Sequence, residues 1–274
     1  MNPIQPEPFD PLSFHLNNTI PTDRVALVTG GASRMGAVVV QALASKGYSI
    51  AIHANNSLPE ARTLAARLES VGVKSLAVTA SMRDEGPVRA MVHRVEDHFG
   101  RIDAVINCAR IRIPCAIESV TADDLRQHFD VNTVGTFLVA QEAGAVMVRQ
   151  ETGGSIVTFG DSADEHPAQN HVAYFSSKGA IPAMTRSLAV EFAARNPRVR
   201  VNCILPGGFM PSDDLSKESQ EELISKTPAN QEDRRECVAH AVLFFLENTF
   251  ITGACLPVDG GQSIFGENRR AEGR

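Results

Sequence analysis

The chain has 274 residues, 43% of them hydrophobic and 21% charged, which is typical of one soluble α/β domain with a full core or of two smaller ones. A net charge of −6 without Lys- or Arg-rich runs argues against nucleic acid as a partner, and the lack of apolar runs of about 18 residues argues against a membrane span. The five cysteines lack the spacing of metal sites, so we expect reduced thiols, no metal and a cytoplasmic protein.

Residues 1–23 contain four prolines before position 12 and no Lys or Arg. A secretory signal begins with basic residues and continues with an apolar core, and this segment has neither. We therefore predict an extended N-terminal tail at 1–23, a domain at 24–265 and a C-terminal tail at 266–274.

Short apolar runs then alternate with longer segments of helical pattern. The apolar runs cover residues 24–29, 48–53, 74–79, 102–107, 154–159, 199–205 and 254–258. The helical patterns between them include 59–71, 85–99, 122–150 and 172–195. Runs that are apolar on both faces indicate parallel strands with helices on each side, so this order predicts a single Rossmann-type, doubly wound α/β domain.

The first strand runs into the segment TGGASRMG, residues 29–36, and a helical pattern follows it. Glycines at this junction let the backbone approach a pyrophosphate, which the N–H groups of the helix N-terminus then bind. Arg34 stands where a third glycine would be expected, and its guanidinium can contact a phosphate. The segment therefore predicts a dinucleotide site.

The second strand ends in HANNS, residues 53–57, which contains no acidic residue. A site that prefers NAD(H) commonly has a carboxylate here for the ribose 2′-hydroxyl, and that charge would repel the 2′-phosphate of NADP(H). Neutral donors at Asn55, Asn56 and Ser57, together with Arg34, favour NADP(H) over NAD(H).

Tyr174 and Lys178, in the segment YFSSK, lie four residues apart within a helical pattern and therefore share one face. An ammonium near a phenol favours the phenolate and lowers the phenol's pKa, which would let Tyr174 donate and accept protons at neutral pH. The pair predicts acid/base chemistry.

Six segments, in this order, resemble the motifs of the short-chain dehydrogenase/reductase family: TGGASRMG, NCAR at 107–110, VNTVGTF around Asn132, YFSSK, PGG at 206–208 and VDGG at 258–261. The resemblance implies a seven-stranded parallel sheet, a nicotinamide cofactor and a homotetramer or homodimer. It also implies that Tyr174 transfers a proton, that Lys178 binds the nicotinamide ribose and lowers the pKa of Tyr174, and that Asn132 holds a relay water.

The same resemblance places contacts to the ligands on this chain. Asn107 would border the adenosine side of the cofactor. The cofactor contacts are Gly30, Ser33, Arg34, Met35, Gly36, His53, Asn55, Asn56, Ser57, Ser81, Met82, Asn107, Ala109, Pro206 and Gly207. The substrate contacts are Arg110, Arg112, Gly208 and Phe209, and a substrate lid is expected at about 209–230.

Asp161 stands at the position of the family's catalytic serine, and Ser162 is next to it. Adjacent side chains of an extended segment point to opposite sides, so only one of the two should face Tyr174. A carboxylate there can accept hydrogen bonds from the N–H groups of an amidine-like heterocycle, whereas a hydroxyl can donate to a carbonyl. Asp161 and the glycine segment resemble the pteridine reductase branch, which reduces C=N bonds of pterins and folates with NADPH.

Arg112 stands where that branch has an aromatic residue that stacks on the pterin, and Arg110 replaces a small residue. A guanidinium plane can stack on a flat ring, but it can equally bind an acidic substrate, or both arginines can point to solvent.

These patterns predict an NADP(H)-dependent oxidoreductase that acts on a small-molecule C=N or C=O bond. Its catalytic residues would be Asp161, Tyr174, Lys178 and Asn132, with Asp161 and Lys178 shifting the pKa of Tyr174 in opposite directions. The substrate would be a pterin or, alternatively, a 3-oxoacyl or sugar-like carbonyl compound that Ser162 polarises. The remaining alternative is a scaffold that binds NADP(H) without catalysis.

Overall fold

The computed structural model of the protein describes residues 23–164, 167–207, 227–230 and 235–265. The predicted C-terminal tail, nearly all of the predicted N-terminal tail and most of the predicted lid lie outside these residues.

Strands and helices alternate along the chain, as the apolar runs predict. The strands are β1 Val25–Thr29, β2 Ser49–Ala54, β3 Ser75–Thr79, β4 Ala104–Asn107, β5 Gly154–Phe159, β6 Val199–Pro206 and β7 Cys255–Val258. The helices are α1 Arg34–Ser45, α2 Leu58–Ser70, α3 Glu85–Phe99, α4 Ala122–His128, α5 Gly135–Arg149, α6 Val172–Ala193 and α7 Arg235–Glu247. A π-helical turn at Phe129–Val134 joins α4 to α5, and short 3₁₀ turns lie at Ser162–Asp164 and Gln262–Ile264.

The strands form one parallel sheet of seven in the order β3-β2-β1-β4-β5-β6-β7. This arrangement confirms the predicted doubly wound α/β fold and its seven-stranded sheet. The chain crosses back over the sheet between β3 and β4, so the carboxyl ends of β1 and β4 lie side by side, with Thr29 opposite Asn107. Ligands of doubly wound sheets bind at such a switch point.

Helices cover both faces of the sheet and bury its strands from both sides. On one face, α3, α5 and α6 contribute buried side chains such as Val139 and Leu188. On the other face, α1, α2 and α7 contribute buried side chains such as Leu43 and Val242. Strands that are apolar on both faces are stable only between two such layers, since either face would otherwise expose hydrocarbon to water.

The predicted helix at 122–150 contains the π-helical turn, which lies where α4 passes into α5. An 18-residue window of Ala122–Arg149 has a mean hydropathy of 1.2, so the run is long and apolar enough to cross a membrane. However, 61% of that window is buried inside the protein, and core helices meet the same criteria. The run is therefore accounted for by its packing in the helix layer beside the sheet.

Candidate active site

The Tyr174 hydroxyl donates a hydrogen bond of 2.7 Å to Asp161 Oδ2, just beyond the carboxyl end of β5. Tyr174 is 2% exposed and Asp161 8% exposed. Asp161 Oδ1 accepts from the Ala163 N–H at 3.0 Å, which fixes the carboxylate at the start of the 3₁₀ turn. The Ser162 hydroxyl is buried and has no hydrogen-bond partner among the described residues. Of the two adjacent residues, Asp161 therefore faces Tyr174.

Burial raises the pKa of Tyr174 above its usual value, and the adjacent Asp161 carboxylate raises it further. The positive charges of Arg110 and Arg112 oppose this shift without cancelling it. The prediction that the pKa of Tyr174 would be lowered is therefore wrong for this arrangement, although the predicted effect of Asp161 has the right sign. A raised pKa makes the phenol a weaker acid than free tyrosine, so in this arrangement Tyr174 is neutral and uses its O–H as a hydrogen-bond donor to Asp161.

Lys178 lies one turn after Tyr174 on α6 and is 2% exposed. Its Nζ donates to the Phe159 carbonyl at 2.6 Å, at the end of β5. Burial, together with the positive charge of Arg110, lowers the pKa of Lys178 to about 8, whereas Asp161 acts in the opposite direction. An ammonium has three N–H donors, so a ligand beside Tyr174 can use those that the Phe159 carbonyl does not.

Asn132 lies on the π-helical turn, and its side chain is completely buried. Its Oδ1 accepts from the Ile111 N–H at 2.8 Å, and its Nδ2 donates to the Ile111 carbonyl at 3.1 Å and to Ser177 Oγ at 2.9 Å. The side chain therefore holds the segment after β4 against α6. The predicted relay water would have to donate to an oxygen of Asn132, because both side-chain N–H groups already have partners.

Residues 108–115, which we call the β4 loop, are fixed through every second backbone N–H. These groups donate from Ala109 to Thr29 Oγ1 (3.1 Å), from Ile111 to Asn132 Oδ1 (2.8 Å), from Ile113 to His128 Nε2 (3.3 Å) and from Cys115 to the Asn170 carbonyl (2.7 Å). His128 can accept at Nε2 because its Nδ1 lies 2.8 Å from the Asp124 carbonyl and donates to it. The path of the loop is thus set by partners outside it.

Arg110 and Arg112 both extend from the β4 loop over the ring of Tyr174. Their guanidinium carbons lie 5.9 Å and 5.3 Å from the ring centroid, within the range of cation–π contacts. Both residues are exposed, and neither forms an ion pair within the part of the chain that the structure describes. The two arginines therefore border the site, as expected for substrate contacts.

The glycine segment after β1 packs directly against the β4 loop. Gly30 has a φ of +63°, and a Cβ at this position would lie 3.0 Å from the backbone of Ala109. A Cβ at Gly36 would overlap the Gly30 carbonyl oxygen. Both positions therefore require glycine, and the loop closes tightly in front of α1.

His53 supports this loop from below and does not reach a ligand. Its Nδ1 accepts from the Gly30 N–H at 3.2 Å, and its Nε2 donates to the Ala80 carbonyl at 3.0 Å. The side chain is 1% exposed, and burial lowers its pKa, which favours the neutral ring that this pattern needs. The prediction of His53 as a cofactor contact is therefore corrected: it is a positioning residue for the glycine loop.

The first turns of α1 and α2 offer backbone N–H groups to an anion. In the described chain, neither N-cap residue, Ser33 nor Ser57, makes a side-chain hydrogen bond to its helix, whereas Thr121 forms a full capping box on α4. Ser33 and Arg34 are exposed at α1, and Arg34 has a φ of +49°. Helix N-termini that lack such caps are suited to phosphate groups.

Two further predicted cofactor contacts are structural. The Asn107 side chain is 1% exposed and lies 3.5 Å both from Thr29 Oγ1, which donates to it, and from the Thr136 carbonyl, to which it donates. Met82 is 4% exposed and packs against α5, where its side chain would meet a Cβ placed at Gly135. Both side chains are enclosed by the protein, so neither borders the cofactor with its side chain.

The other predicted contacts lie along the same edge of the sheet. Those that are exposed or partly exposed are Met35, Asn55, Asn56, Ser81, Ala109 and Pro206, whereas Gly207 is buried and donates to the Val258 carbonyl at 2.9 Å. Gly208 and Phe209, predicted as substrate contacts, lie outside the described residues.

Two residues that the sequence does not single out also shape the site. Ser177 accepts from Asn132 and donates to the Tyr174 carbonyl at 2.7 Å, so it joins the π-helical turn to the turn of α6 that carries Tyr174 and Lys178. His128 holds the β4 loop through Ile113. Ser177 lies inside the YFSSK segment, so the motif could have indicated it, but no local sequence pattern marks His128.

Comparisons with known proteins give a consistent set of relatives. The family model described as "Enoyl-(Acyl carrier protein) reductase" matches residues 30–263. The 3-oxoacyl-[acyl-carrier-protein] reductase of Rattus norvegicus is 35% identical over 243 residues, which cover 88% of this chain and 99% of that protein.

Solved structures resemble the fold over a similar length. FolM Alternative dihydrofolate reductase 1 from Brucella canis, complexed with NADP, has a TM-score of 0.81 and 30% identity, over 92% of this chain and 99% of that one. A blue fluorescent protein from a metagenomic library, in complex with NADPH, has a TM-score of 0.78 and 30% identity, over 87% and 97% of the two chains.

Proposed function

Because the chain belongs to the short-chain dehydrogenase/reductase family and is an oxidoreductase, we propose that it reduces the C=N bond of a pterin-like heterocycle with NADPH. The observation that carries this proposal is the 2.7 Å hydrogen bond from Tyr174 to Asp161, which puts a carboxylate where a carbonyl reductase needs a hydroxyl. The Brucella canis relative, named an alternative dihydrofolate reductase, supports it.

NADP(H) is the cofactor that the residues present fit. The first-turn N–H groups of α1, with exposed Arg34, are suited to the pyrophosphate, because Ser33 does not cap them. Asn55 and Asn56 are exposed after β2, Ser57 leaves the start of α2 uncapped, and residues 55–57 contain no carboxylate that would repel a 2′-phosphate; the next acidic residue is Glu60, in the first turn of α2. When bound, NADPH supplies the hydride.

Asp161 and Tyr174 would divide the remaining work. Asp161 accepts a hydrogen bond from the Tyr174 hydroxyl in this structure, and a bound heterocycle would donate hydrogen bonds from its ring N–H groups to the same carboxylate. Tyr174, a neutral phenol that donates to Asp161 in this structure, would then turn its proton toward the ring nitrogen that becomes an amine. Lys178 holds its ammonium one turn away, where its remaining N–H donors can orient a bound ribose.

The second candidate is reduction of a 3-oxoacyl carbonyl, which the rat relative favours by its name. In that reaction Ser162 would have to donate to the carbonyl oxygen. Its hydroxyl is buried beside the Asp161 turn and bonds to nothing among the described residues, whereas Asp161 occupies the position facing Tyr174. A scaffold without catalysis would not need Tyr174, Lys178 and Asn132 together.

The test is NADPH oxidation, followed by absorbance, with dihydrobiopterin, dihydrofolate, a 3-oxoacyl thioester and small diketones, each repeated with NADH. The proposal expects turnover of the pterins with NADPH, abolished by Asp161→Asn and retained by Ser162→Ala. Turnover of the thioester alone, lost in Ser162→Ala, would establish the second candidate. Tight NADPH binding without turnover of any substrate would favour the remaining alternative, a scaffold that binds NADP(H) without catalysis.

A further inference from the structure

We infer that the substrate carries an acidic group, a carboxylate or a phosphate, close to the bond that is reduced, and that Arg110 and Arg112 bind this group. The inference rests on the proposed function only for the position of the reacting bond beside Tyr174. It does not depend on the substrate being a pterin.

The first argument is the convergence of two guanidinium groups on one ring. The guanidinium carbons of Arg110 and Arg112 lie 5.9 Å and 5.3 Å from the ring centroid of Tyr174, so both are beside the phenol that the proposed function assigns to proton transfer. Stacking on a flat substrate requires one planar group. Two guanidinium groups beside one ring are suited to an anion with several acceptor oxygens.

The second argument is charge. Among the described residues, the charged groups that act on Tyr174 or Lys178 are Arg110, Arg112 and one carboxylate, Asp161, although the whole chain has a net charge of −6. Asp161 is occupied by the Tyr174 hydroxyl and the Ala163 N–H, and within the described chain neither arginine forms an ion pair. A substrate anion would neutralise this local excess of positive charge.

The third argument concerns what the arginines do not do. The β4 loop is held by backbone N–H groups of Ala109, Ile111, Ile113 and Cys115, whose partners all lie outside the loop. Neither guanidinium is needed for its path. Both side chains are exposed, so they are presented to a ligand by a scaffold that is already fixed.

The test uses two matched pairs of compounds that differ in one acidic group. The first pair is a dihydropterin carboxylic acid and the corresponding hydroxymethyl dihydropterin, and the second is 3-oxobutanoate and its methyl ester. For each compound, kcat/KM with NADPH and the Kd for the NADP⁺ complex, by calorimetry, are measured in the wild type, Arg110→Gln and Arg112→Gln. Arg94→Gln removes an exposed arginine of α3 and is the matched control.

We expect tighter binding of the acidic member of a pair by the wild type. Arg112→Gln and Arg110→Gln should each weaken that member about 10- to 100-fold more than its neutral counterpart, the range for a hydrogen bond to a charged group. Arg112→Lys should restore part of the difference. Arg94→Gln should leave the ratio unchanged.

Several outcomes would overturn the inference. Equal affinity for both members in the wild type would do so, as would equal losses for both members in the variants, which would assign the arginines to the cofactor or to Tyr174. Preference for 3-oxobutanoate with no use of either pterin would contradict the proposed heterocycle and leave the acidic-group inference standing. Use of both pterins without preference for the acidic one would support the proposed heterocycle and overturn the acidic-group inference.

Discussion

The site has two halves that differ in the groups they offer to a ligand: the cofactor half, beside β1 and β2, and the substrate half, beside β4, β5 and α6. Beside β1 and β2, the features suited to the cofactor are backbone N–H groups of two uncapped helices, glycines without room for a side chain, and neutral Asn and Ser residues. Beside β4, β5 and α6, they are charged side chains: Arg110 and Arg112 over Tyr174, with Asp161 and Lys178 buried next to it.

The groups of the cofactor half are mostly backbone atoms that the fold fixes, whereas those of the substrate half are charged side chains that influence one another's pKa values. Backbone N–H groups are not titrated, and burial favours the neutral form of His53 beneath the glycine loop, so the cofactor half should respond to pH less than the substrate half. In the substrate half, charged side chains change the pKa of their neighbours: Asp161 raises that of Tyr174, and Arg110 lowers that of Lys178. Variants can therefore separate the two halves.

The largest effect is expected from Tyr174→Phe. Loss of the proton donor should lower kcat by about 10²- to 10⁴-fold, while the Kd for NADPH should change little, because the cofactor half is untouched. Steady-state kinetics and NADPH fluorescence titration measure the two quantities. Tyr48→Phe makes the same change in the core at 3% exposure and should keep turnover. A Tyr174→Phe protein with full activity would contradict the assignment.

Next is the pH dependence of stability due to Lys178. Its pKa in the folded protein is lowered from 10.5 to about 8, so between these values the unfolded chain binds more protons, and stability should rise with pH. The slope should approach about 1.4 kcal/mol per pH unit, about 3 kcal/mol in total, and Lys178→Met should lack it. Urea unfolding across this range measures it, with exposed Lys74→Met as control. Parallel curves for the wild type and Lys178→Met would contradict the expectation.

Gly36→Ala should damage the cofactor half. The added methyl would overlap the Gly30 carbonyl oxygen, so the loop must shift, at about 1–3 kcal/mol of stability and with weaker NADPH binding. Thermal unfolding and fluorescence titration report on both. Gly86→Ala, within α3 and with no atom within 4 Å of the new Cβ, should bind NADPH as the wild type does. Equal behaviour of the two variants would show that the loop is not tightly closed.

The smallest effect is expected from Asn55→Asp. A carboxylate after β2 would repel the 2′-phosphate and favour the free 2′-hydroxyl of NADH, so the ratio of the NADPH and NADH affinities should fall about tenfold. Asn55→Gln keeps a neutral amide and is the matched control. An unchanged ratio in Asn55→Asp would place the 2′-phosphate elsewhere.

The sequence predicts the fold well because its signals are local. Apolar runs and the Tyr174–Lys178 spacing are each read within one element, and the TGGASRMG segment is read at the junction of β1 and α1. The seven-stranded parallel sheet confirms the strands that the apolar runs predict. The side-chain contacts between elements are not local. Nothing near His53 shows that Gly30 and Ala80 will use both of its ring nitrogens, and nothing near Asn107 shows that Thr136 will enclose it.

The same limit explains the error in the pKa of Tyr174. The spacing places Lys178 on the same face of α6 as Tyr174, but its ammonium donates to the Phe159 carbonyl at the end of β5. Burial and Asp161 raise the pKa of Tyr174 by more than the nearby positive charges lower it. Burial is a property of the whole fold and cannot be read from a five-residue motif. The homotetramer or homodimer and the cytoplasmic location stay predictions.

The anchoring of the β4 loop has a consequence for the evolution of the protein. Because the loop is held through its backbone, the side chains at Arg110 and Arg112 can be exchanged without refolding the segment that presents them. If these two side chains bind the substrate as inferred, one or two substitutions here should change substrate choice while the loop stays in place. Asn132 and His128 have less freedom, since losing either would remove one of the loop's four backbone anchors.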